Sequence, residues 1–518
     1  MSSRILESYE QIPYGSQPIT QSHPDCLATE GVLRGMTPAP VDRCRVLELG
    51  CASGGNLIPM AASHPKSVFL GVDLSPRQIA AGRTIVDALG IHNIELRGIS
   101  LMEVDASWGE FDYILCHGVF SWVPQLVRDR ILEICRNNLA PQGLAYISFN
   151  TYPGWRQKMV LRDLMRFHSR RSEDPAERLR QARGILAFAA EAVETFSSPS
   201  AGNLREANER MRGERDSYVF HEFLEASNEP LYFEEFATLL GEHAPQFVAE
   251  AGPTDLELQQ LAPGALSKLA DFARSPIERE QYLDFLRNRT FRRSVVCRAD
   301  VSLTSEDGAE ALLSRPTFLA SPLRPVSVEL DATDLRDETF IGPGDVEITT
   351  NQPLLKSALE FPSARYPRSV PFDAVWQAVE KRCEQRAHSV PGGEGRRFLA
   401  DCLLHCNRTH FLNLVELHCS PSRFTLDPGA QPSAWPVARF HARHGSRVPS
   451  LNHKLAELSE FQRRVLPLLD GTRSLEDLVE QLLPAAGGAA SPEAKRASVR
   501  RQLDSCLTSL AHMALLWD

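Results

Sequence analysis

The chain has 518 residues, of which 43% are hydrophobic and 24% are charged, and its formal net charge is −10. This composition is typical of a soluble globular protein, and the length predicts about three or four domains of roughly 150 residues each. The negative net charge argues against a protein that binds nucleic acid by bulk electrostatic attraction, and no apolar run is long enough to be inserted into a membrane as a spanning helix.

Residues 1–40 are rich in Pro, Ser, Thr and Gln, and they predict an extended arm that leads into a short helix. From residue 45 to about residue 149, short apolar strands alternate with helical segments. The predicted strands are RVLELG, VFLGVDL, IELRGI, FDYILCHG and GLAYISFN. Strands that alternate with helices form parallel sheets with right-handed crossovers, so this part of the chain predicts an α/β domain with a Rossmann-like, parallel-rich sheet.

The rest of the chain predicts a helical middle domain and C-terminal α+β domains. Residues 156–300 have a mostly helical pattern, residues 301–350 are strand-like, and residues 351–420 predict helices followed by a strand. The last block has the order helix, helix, helix, strand of a winged-helix domain, with Ser474 and Asp477 as a capping box. Winged helices bind DNA or proteins. The presumed recognition helix has no exceptional basic run beyond Lys495, Arg496, Arg500 and Arg501. We therefore favour a protein-binding module and expect no nucleic acid.

The sequence VLELGCASGGN places a glycine-rich turn between the first strand and a helix, which is a cradle for an anion or a nucleotide. The dinucleotide fingerprint G-x-G-x-x-G would fall on Gly50, Ala52 and Gly55, so its middle glycine is missing. The methyl-donor pattern acid-x-Gly-x-(Gly/Ala)-x-Gly fits Glu48, Gly50, Ala52 and Gly54 in order. An acid here suits the cationic sulfonium and ammonium of S-adenosylmethionine and would repel a pyrophosphate. The alternative for Glu48 is an acid at a strand end whose hydrogen bonds are made within the protein, with no role in ligand binding.

The ends of the second and third strands predict the nucleoside contacts. Asp73 ends the second strand and is expected to accept both ribose hydroxyls in charge-assisted hydrogen bonds. The alternative is a helix N-cap, but Ser75 followed by Pro76 predicts that cap. Ser100 ends the third strand, where methyltransferases often have Asp beside the adenine. The predicted cofactor-binding set also includes their neighbours Cys51, Ser53, Asn56, Leu74 and Ile99.

A zinc site near the sequence CLLHC is a further hypothesis, which the sequence supports only weakly. The candidate ligands are Cys402, Cys406, His410, His418 and Cys419. Cys402 and Cys406 are one helical turn apart, which favours a buried helix face, and no finger-like pair of cysteines recurs. The motif HEFLE lacks the second histidine of a zinc protease. We therefore expect no metal, and the eleven scattered cysteines favour reduced thiols.

Several motifs together resemble one family. These are YEQIPYGSQPITQSHPDCLA, VLELGCASGGNLIPMA, HGVFSWVP, SFNTYPGW, SYVFHEFLEASNEPLYFEEF and DFLRNRTFRRSVVC. With them, nearly the whole chain resembles the bacterial protein-lysine methyltransferases, class I S-adenosylmethionine-dependent enzymes typified by the rickettsial outer-membrane-protein methyltransferases. The implied domains are an N-terminal arm or lid (1–44), a methyltransferase domain (45–195), a regulatory domain (196–300), a region with a first winged-helix-like unit (301–440) and a second such domain (441–518).

The resemblance also implies a lid over the cofactor, with Tyr14, Ser16 and His23 at the matching places. The alternative is that these residues only anchor the arm. The resemblance further implies that the protein is a cytoplasmic bacterial enzyme and that its acceptor is a protein or peptide. It also implies a homodimer that is built partly from noncatalytic regions.

Methyl transfer from a sulfonium is a direct in-line displacement, so the protein mainly supplies alignment and water exclusion. A lysine acceptor has a pKa of about 10.4 and must first lose a proton, which burial in an aromatic channel favours. The predicted catalytic residues are His117, Trp122, Tyr152, Trp155, Tyr218 and His221. His117 also belongs to the cofactor set. Backbone hydrogen bonding is the alternative for His117, and packing for the aromatic side chains, which otherwise hold a cation over their faces. A small-molecule or peptide methyltransferase and a noncatalytic scaffold are the alternative functions.

Overall fold

The computed structural model describes residues 12, 15–252, 262, 264–304, 308–315, 317–327, 334–385, 392–409, 414–485 and 491–517. In these ranges a seven-stranded sheet has the order β3-β2-β1-β4-β5-β7-β6. The strands are β1 (Arg45–Leu49), β2 (Val68–Asp73), β3 (Ile94–Gly98), β4 (Phe111–Cys116), β5 (Leu139–Asn150), β6 (Pro245–Glu250) and β7 (Phe291–Arg298).

Strands β1 to β5 are parallel, as the sequence predicts, and β7 is antiparallel to both of its neighbours. The four helices of this part are α1 (Pro24–Leu33), α2 (Leu57–Ser63), α3 (Pro76–Leu89) and α4 (Gln125–Asn138). Both faces of the sheet are covered, which explains why its strands are nearly continuous apolar runs. On β1, Val46 packs in a core with Met60, whereas Leu47 packs on the opposite face in a core with Ile131.

The middle region is mainly helical, as predicted. Its helices are α5 (Trp155–Ser169), α6 (Pro175–Ala192), α7 (Pro199–Gly213), α8 (Asp216–Phe223), α9 (Phe233–His243), α10 (Ala265–Phe272) and α11 (Pro276–Arg287). Helices α5 to α8 have their own apolar core, which includes Met165, Leu186 and Phe220. No pattern in the sequence predicts that β6 and β7 of this region join the catalytic sheet. These short strands are embedded in helical sequence, and their pairing with β5 is a long-range contact.

The described residues between 308 and 418 form a unit with a core around Leu319, Trp376 and Leu403, and Val32 and Leu33 of α1 belong to the same core. It contains helices α12 (Gly308–Ser314), α13 (Pro353–Ser363), α14 (Phe372–Gln385) and α15 (Gly392–Thr409), and strands β8 (Phe318–Ala320), β9 (Arg324–Pro325), β10 (Glu338–Ile341), β11 (Glu347–Thr350), β12 (Val370–Pro371) and β13 (Glu416–His418). The strands from β8 to β11 agree with the predicted strand-like stretch, and the later helices and β13 agree with the predicted helices and strand, but the prediction missed helix α12.

The C-terminal unit has a core that includes Trp435, Leu478 and Leu507. Its elements are α16 (Pro436–Ala442), a hairpin of β14 (Arg447–Pro449) and β15 (Leu455–Glu457), α17 (Glu460–Val465), α18 (Leu475–Leu482) and α19 (Pro492–His512). The predicted capping box at Ser474 and Asp477 is confirmed. In the described ranges, none of the helices combines the length and apolar character that a membrane span requires.

Candidate active site

The turn after β1 has a backbone that requires small residues. Gly50 and Gly54 have φ angles of 78° and 74°, and Ala52 has 49°, all in the left-handed region that glycine adopts most easily. A Cβ added at Gly50 would lie 2.5 Å from a methyl carbon of Val119, so the loop after β4 closes directly over this turn. Cys51 is buried behind the turn, and burial raises the pKa of its thiol well above the ordinary value. The turn is therefore a closely packed cradle at the carboxyl edge of the sheet.

Glu48 is buried beneath this cradle, with a relative exposure of 4%. Its Oε1 accepts a hydrogen bond from Asn56 Nδ2 at 2.7 Å, whereas its Oε2 is buried without a hydrogen-bond partner among the described residues. Burial raises the pKa of Glu48 to about 7, against the hydrogen bond from Asn56, and the charge of Asp73 adds to the rise. A buried acceptor without a protein partner costs free energy unless a ligand satisfies it.

Asp73 lies at the end of β2, next to the turn. Its Oδ2 accepts the Ala52 N–H at 2.8 Å and its Oδ1 accepts the Ser75 N–H at 2.9 Å. A carboxylate accepts up to about four hydrogen bonds, so accepting these backbone N–H groups does not by itself exclude ribose hydroxyls. Ser75 caps α3 through the Gln78 N–H, with Pro76 in the first turn, so the predicted cap is confirmed. The ribose role of Asp73 stays a prediction.

The predicted adenine end follows β3. The Ser100 hydroxyl accepts the Met102 N–H at 3.3 Å and caps a short 3-10 helix, Leu101–Glu103. Ile99 and Leu74 are partly buried beside it. The positions are those expected of a nucleoside pocket, and the roles of these three side chains, and of Ser53 in the turn, stay predictions.

The N-terminal arm contacts the cradle directly. The Ser16 hydroxyl accepts the Gly55 N–H at 2.7 Å, and a Cβ at Gly55 would lie 2.5 Å from the Ser16 carbonyl carbon. His23 caps α1 through the Asp25 N–H, and burial lowers the pKa of its ring well below the ordinary value. Tyr14 lies outside the described residues. The arm is thus placed as a lid would be, and the cofactor roles of Ser16 and His23 stay predictions.

His117 follows β4, and its Nδ1 lies 2.9 Å from the Tyr146 hydroxyl and 3.4 Å from the Ser148 hydroxyl. Burial lowers the pKa of His117 to about 4, and nearby Arg293 adds to the effect, so the ring is neutral. Burial also raises the pKa of Tyr146, which therefore keeps its proton. A protonated phenol is the natural donor to Nδ1, and Nε2 then carries the ring hydrogen.

Aromatic side chains gather after β4 and β5. Trp122 and Trp155 meet edge to face with ring centroids 6.3 Å apart, and Trp155 is fully buried. Tyr152 lies 5.3 Å from the ring of Tyr232, and the Arg156 guanidinium lies 4.0 Å from the centroid of the Tyr152 ring. The ring contacts are packing interactions, which are the alternative role given above for these side chains. The contact of Arg156 with Tyr152 shows that a cation can lie over one of these aromatic faces.

Tyr218 and His221 lie on α8. The Tyr218 hydroxyl is 3.5 Å from Glu222 Oε1. His221 is buried, with Nδ1 2.8 Å from Glu225 Oε1 and Nε2 2.6 Å from the Ile12 carbonyl oxygen. His221 therefore ties the regulatory region to the arm, and its predicted catalytic role stays a prediction.

The zinc candidates that the structure describes do not form a metal site. In the part of the chain that the structure describes, no group of three or more His, Cys, Asp or Glu side chains is arranged to hold a metal ion, and His410 lies outside that part. Cys402 and Cys406 lie on α15, as the helix-face interpretation predicts. His418 Nδ1 instead pairs with Asp25 Oδ2 at 2.7 Å. All eleven cysteines are in the described part, and each is a free thiol.

Three residues near the site are not among those that the sequence predicts. Val119 covers Gly50, Ser148 accepts the Gly118 N–H at 2.9 Å, and His453 contacts Asn56 from the C-terminal unit. Val119 lies inside the quoted motif HGVFSWVP and Ser148 inside SFNTYPGW, so position in these loops was an available signal. His453 has no local signal, because its contact spans 397 residues of sequence.

Comparison with known proteins agrees with this geometry. Three family models match: a methyltransferase domain at residues 47–145, a predicted methyltransferase regulatory domain at residues 215–298 and a PKMT C-terminal winged helix domain at residues 430–515. "Uncharacterized protein RP789" of Rickettsia prowazekii (strain Madrid E) is 30% identical over 481 residues, which cover 92% of this chain and 85% of the relative. "Uncharacterized protein RP028" of the same strain is 40% identical over 229 residues, covering 44% of this chain and 92% of the relative.

Among solved structures, PKMT2 from Rickettsia typhi in complex with AdoHcy is similar over 97% of this chain and 100% of its own, with 27% sequence identity and a TM-score of 0.83. The sheet, the glycine cradle and the buried acid beside it define a class I S-adenosylmethionine-dependent methyltransferase. More narrowly, the chain belongs to the bacterial PKMT family, in which this domain is joined to a methyltransferase regulatory domain and a C-terminal winged-helix domain.

Proposed function

We propose that this enzyme methylates lysine side chains of a protein acceptor. The observation that carries the proposal is an ammonium group already held beside the predicted catalytic aromatics. Lys158 Nζ lies 4.9 Å from the centroid of the Trp155 ring and 3.0 Å from Glu222 Oε1. An indole face and a carboxylate are the two groups that stabilise a lysine ammonium. The likeness to PKMT2 across the accessory domains supports a macromolecular acceptor.

The residues at the cradle fit S-adenosylmethionine. The buried, unpartnered Oε2 of Glu48 is an acceptor for a cationic ligand, and Asp73 is placed to accept ribose hydroxyls. We further propose that Ser100, at the end of β3, contacts the adenine, and that Ser16 and His23 belong to a lid over the cofactor; the hydrogen bond between Ser16 and the turn supports the second role. When bound, the cofactor supplies a methyl group that its sulfonium already activates, so a neutral lysine amine displaces the thioether in one in-line step.

His117 serves this reaction as a hydrogen-bond donor rather than as a base. Its Nδ1 faces the Tyr146 hydroxyl at 2.9 Å, so Nε2–H is the group available to a carboxylate or to an acceptor. The proton of the lysine ammonium must therefore leave by another route. Water is the acceptor that we propose, because Glu222 already pairs with Lys158, and burial beside Trp122 would lower the pKa of the acceptor amine.

Transfer of a labelled methyl group from S-adenosylmethionine into a host lysate tests the acceptor class. The lysate is separated by size after the reaction, the protein fraction is hydrolysed, and a matched reaction receives excess S-adenosylhomocysteine as a control. We expect label in the protein fraction as methylated lysine, suppressed in the control. Label confined to the small-molecule fraction would contradict the proposal and support the small-molecule alternative.

We also propose, from the family resemblance, that the enzyme is a cytoplasmic homodimer. Exposed apolar side chains on the helical unit support an association surface: Phe167 and Phe188 are each 64% exposed. Analytical ultracentrifugation of the full chain at micromolar concentration checks the oligomeric state, and a single monomeric species would contradict the dimer.

A further inference from the structure

The hairpin of the C-terminal unit ends in a tight turn that buries a histidine. Between β14 and β15, the Ser450 N–H donates to the Lys454 carbonyl at 2.9 Å and the His453 N–H donates to the Ser450 carbonyl at 2.9 Å. His453 has a φ of 55° and a relative exposure of 4%. A left-handed backbone at a non-glycine residue is uncommon, so the turn holds this side chain in one defined direction.

That direction leads into the methyltransferase domain. His453 Nε2 lies 2.8 Å from Asn56 Oδ1, and the His453 carbonyl accepts the Thr20 hydroxyl at 2.8 Å. The ring also lies 5.0 Å from the ring of His23. The arm is therefore held between the cofactor turn on one side and the hairpin tip on the other.

The orientation of Asn56 follows from its other partners. The Ile19 N–H is a donor and lies 2.9 Å from Asn56 Oδ1, so the oxygen of the amide must face it. His453 Nε2 consequently donates to the same oxygen. The Asn56 NH₂ group then points the other way and donates to Glu48 Oε1 at 2.7 Å and to the Ser22 hydroxyl at 3.0 Å.

A continuous hydrogen-bond chain thus runs from the hairpin, through Asn56, to the carboxylate whose second oxygen has no partner in the described structure. We propose that His453 is a positioning residue for cofactor binding, which holds Asn56, and through it Glu48, in the orientation that the cofactor requires. The C-terminal unit would then contribute directly to the affinity of a site in another domain. This inference rests on the assignment of Glu48 to the cofactor under the proposed function, and it does not depend on the acceptor being lysine.

Calorimetric titration of the full chain with S-adenosylhomocysteine tests the inference. His453→Ala removes one neutral hydrogen bond to Asn56, and we expect about 3- to 10-fold weaker binding. His453→Gln supplies an amide N–H of sufficient reach and should recover most of the loss. Lys454→Ala is the matched control, because it removes the neighbouring contact of the same turn with Glu416, 3.1 Å away, and leaves Asn56 untouched.

A double-mutant cycle separates positioning from general destabilisation. In an Asn56→Ala background, His453→Ala should cause no further loss of affinity, because the chain is already broken. Three results would each overturn the inference. The first is wild-type affinity in folded His453→Ala, and the second is an equal loss of affinity in Lys454→Ala and His453→Ala. The third is a full additional loss when His453→Ala is added to Asn56→Ala. If His453→Ala does not fold, the affinities of His453→Gln and Asn56→Ala for S-adenosylhomocysteine are compared instead. Binding by His453→Gln that is as weak as binding by Asn56→Ala would overturn the inference. A wild-type chain that binds no S-adenosylhomocysteine would instead refute the cofactor assignment itself.

The pH profile for S-adenosylmethionine supplies a second readout. Burial raises the pKa of Glu48 to about 7, and the groups that face it are Asp73, Cys51, Cys116 and the Asn56 amide. The ionised carboxylate favours the cationic ligand, so affinity should fall as pH decreases through 7. In His453→Ala the Asn56 amide is held less well, and the midpoint should move to higher pH. An unchanged midpoint would contradict positioning.

Discussion

Asp73→Asn tests the nucleoside assignment with the least change in shape. In the wild type, one carboxylate oxygen accepts the Ala52 N–H at 2.8 Å and the other accepts the Ser75 N–H at 2.9 Å. The asparagine has one oxygen, so one ribose hydroxyl loses its acceptor and the other loses the charge. A hydrogen bond to a charged group contributes about 1.5–3 kcal/mol, which corresponds to roughly 10- to 150-fold weaker binding for a single lost bond.

Calorimetry with S-adenosylhomocysteine measures this loss, and thermal unfolding of the same sample measures the accompanying destabilisation. The variant also leaves one backbone N–H facing an NH₂ group, which costs about 1–3 kcal/mol of stability. Ser75→Ala is the control. It removes the cap of α3, worth about 0.5–2 kcal/mol, but keeps the Ser75 N–H and both Asp73 oxygens. Comparable destabilisation with unchanged affinity is expected for Ser75→Ala. Unchanged affinity in a folded Asp73→Asn would show that the acid does not hold the ribose.

Two further predictions concern the cradle and the contact between α1 and β13. Gly50→Ala should lower the unfolding free energy by about 2–5 kcal/mol and abolish cofactor binding, since its φ is 78° and its Cβ would lie 2.5 Å from a valine methyl carbon. Gly90→Ala, at φ 63° with open space around it, should cost only about 1–2 kcal/mol and leave binding intact. Burial opposes the charge of His418, but Asp25 and Glu416 raise its pKa to about 10. The folded pKa exceeds the ordinary value of about 6.5, so this stabilisation is complete below pH 6.5 and is lost as pH rises towards 10. Melting temperatures from pH 6 to 10 should therefore fall more steeply in the wild type than in His418→Gln, and parallel curves would contradict this.

The sequence was informative where a local pattern determines geometry. Five parallel strands, the glycine turn with Glu48, and the caps at Ser75 and Ser474 all follow from residues close together in the chain. Spacing indicated that Cys402 and Cys406 share a helix, and the structure confirms this.

Contacts between distant segments were not accessible in the same way. The antiparallel strands β6 and β7 come from a region of helical pattern, and only their pairing with β5 makes them part of the sheet. The partners of His221 and His453 are an arm carbonyl and an amide of another domain. A single histidine in a helix or a turn carries no sequence signal of such a partner.

The origin of β7 has a consequence for how this enzyme can be divided. Strand β5 pairs with β7 from Ala145↔Val296 to Asn150↔Phe291. A fragment that stops near residue 195 would leave β5 as a long apolar strand with an open edge, which is a template for aggregation. During synthesis, the catalytic sheet cannot be completed until residue 298, the end of β7, has emerged from the ribosome. The regulatory region is therefore a structural part of the catalytic domain and not a detachable module.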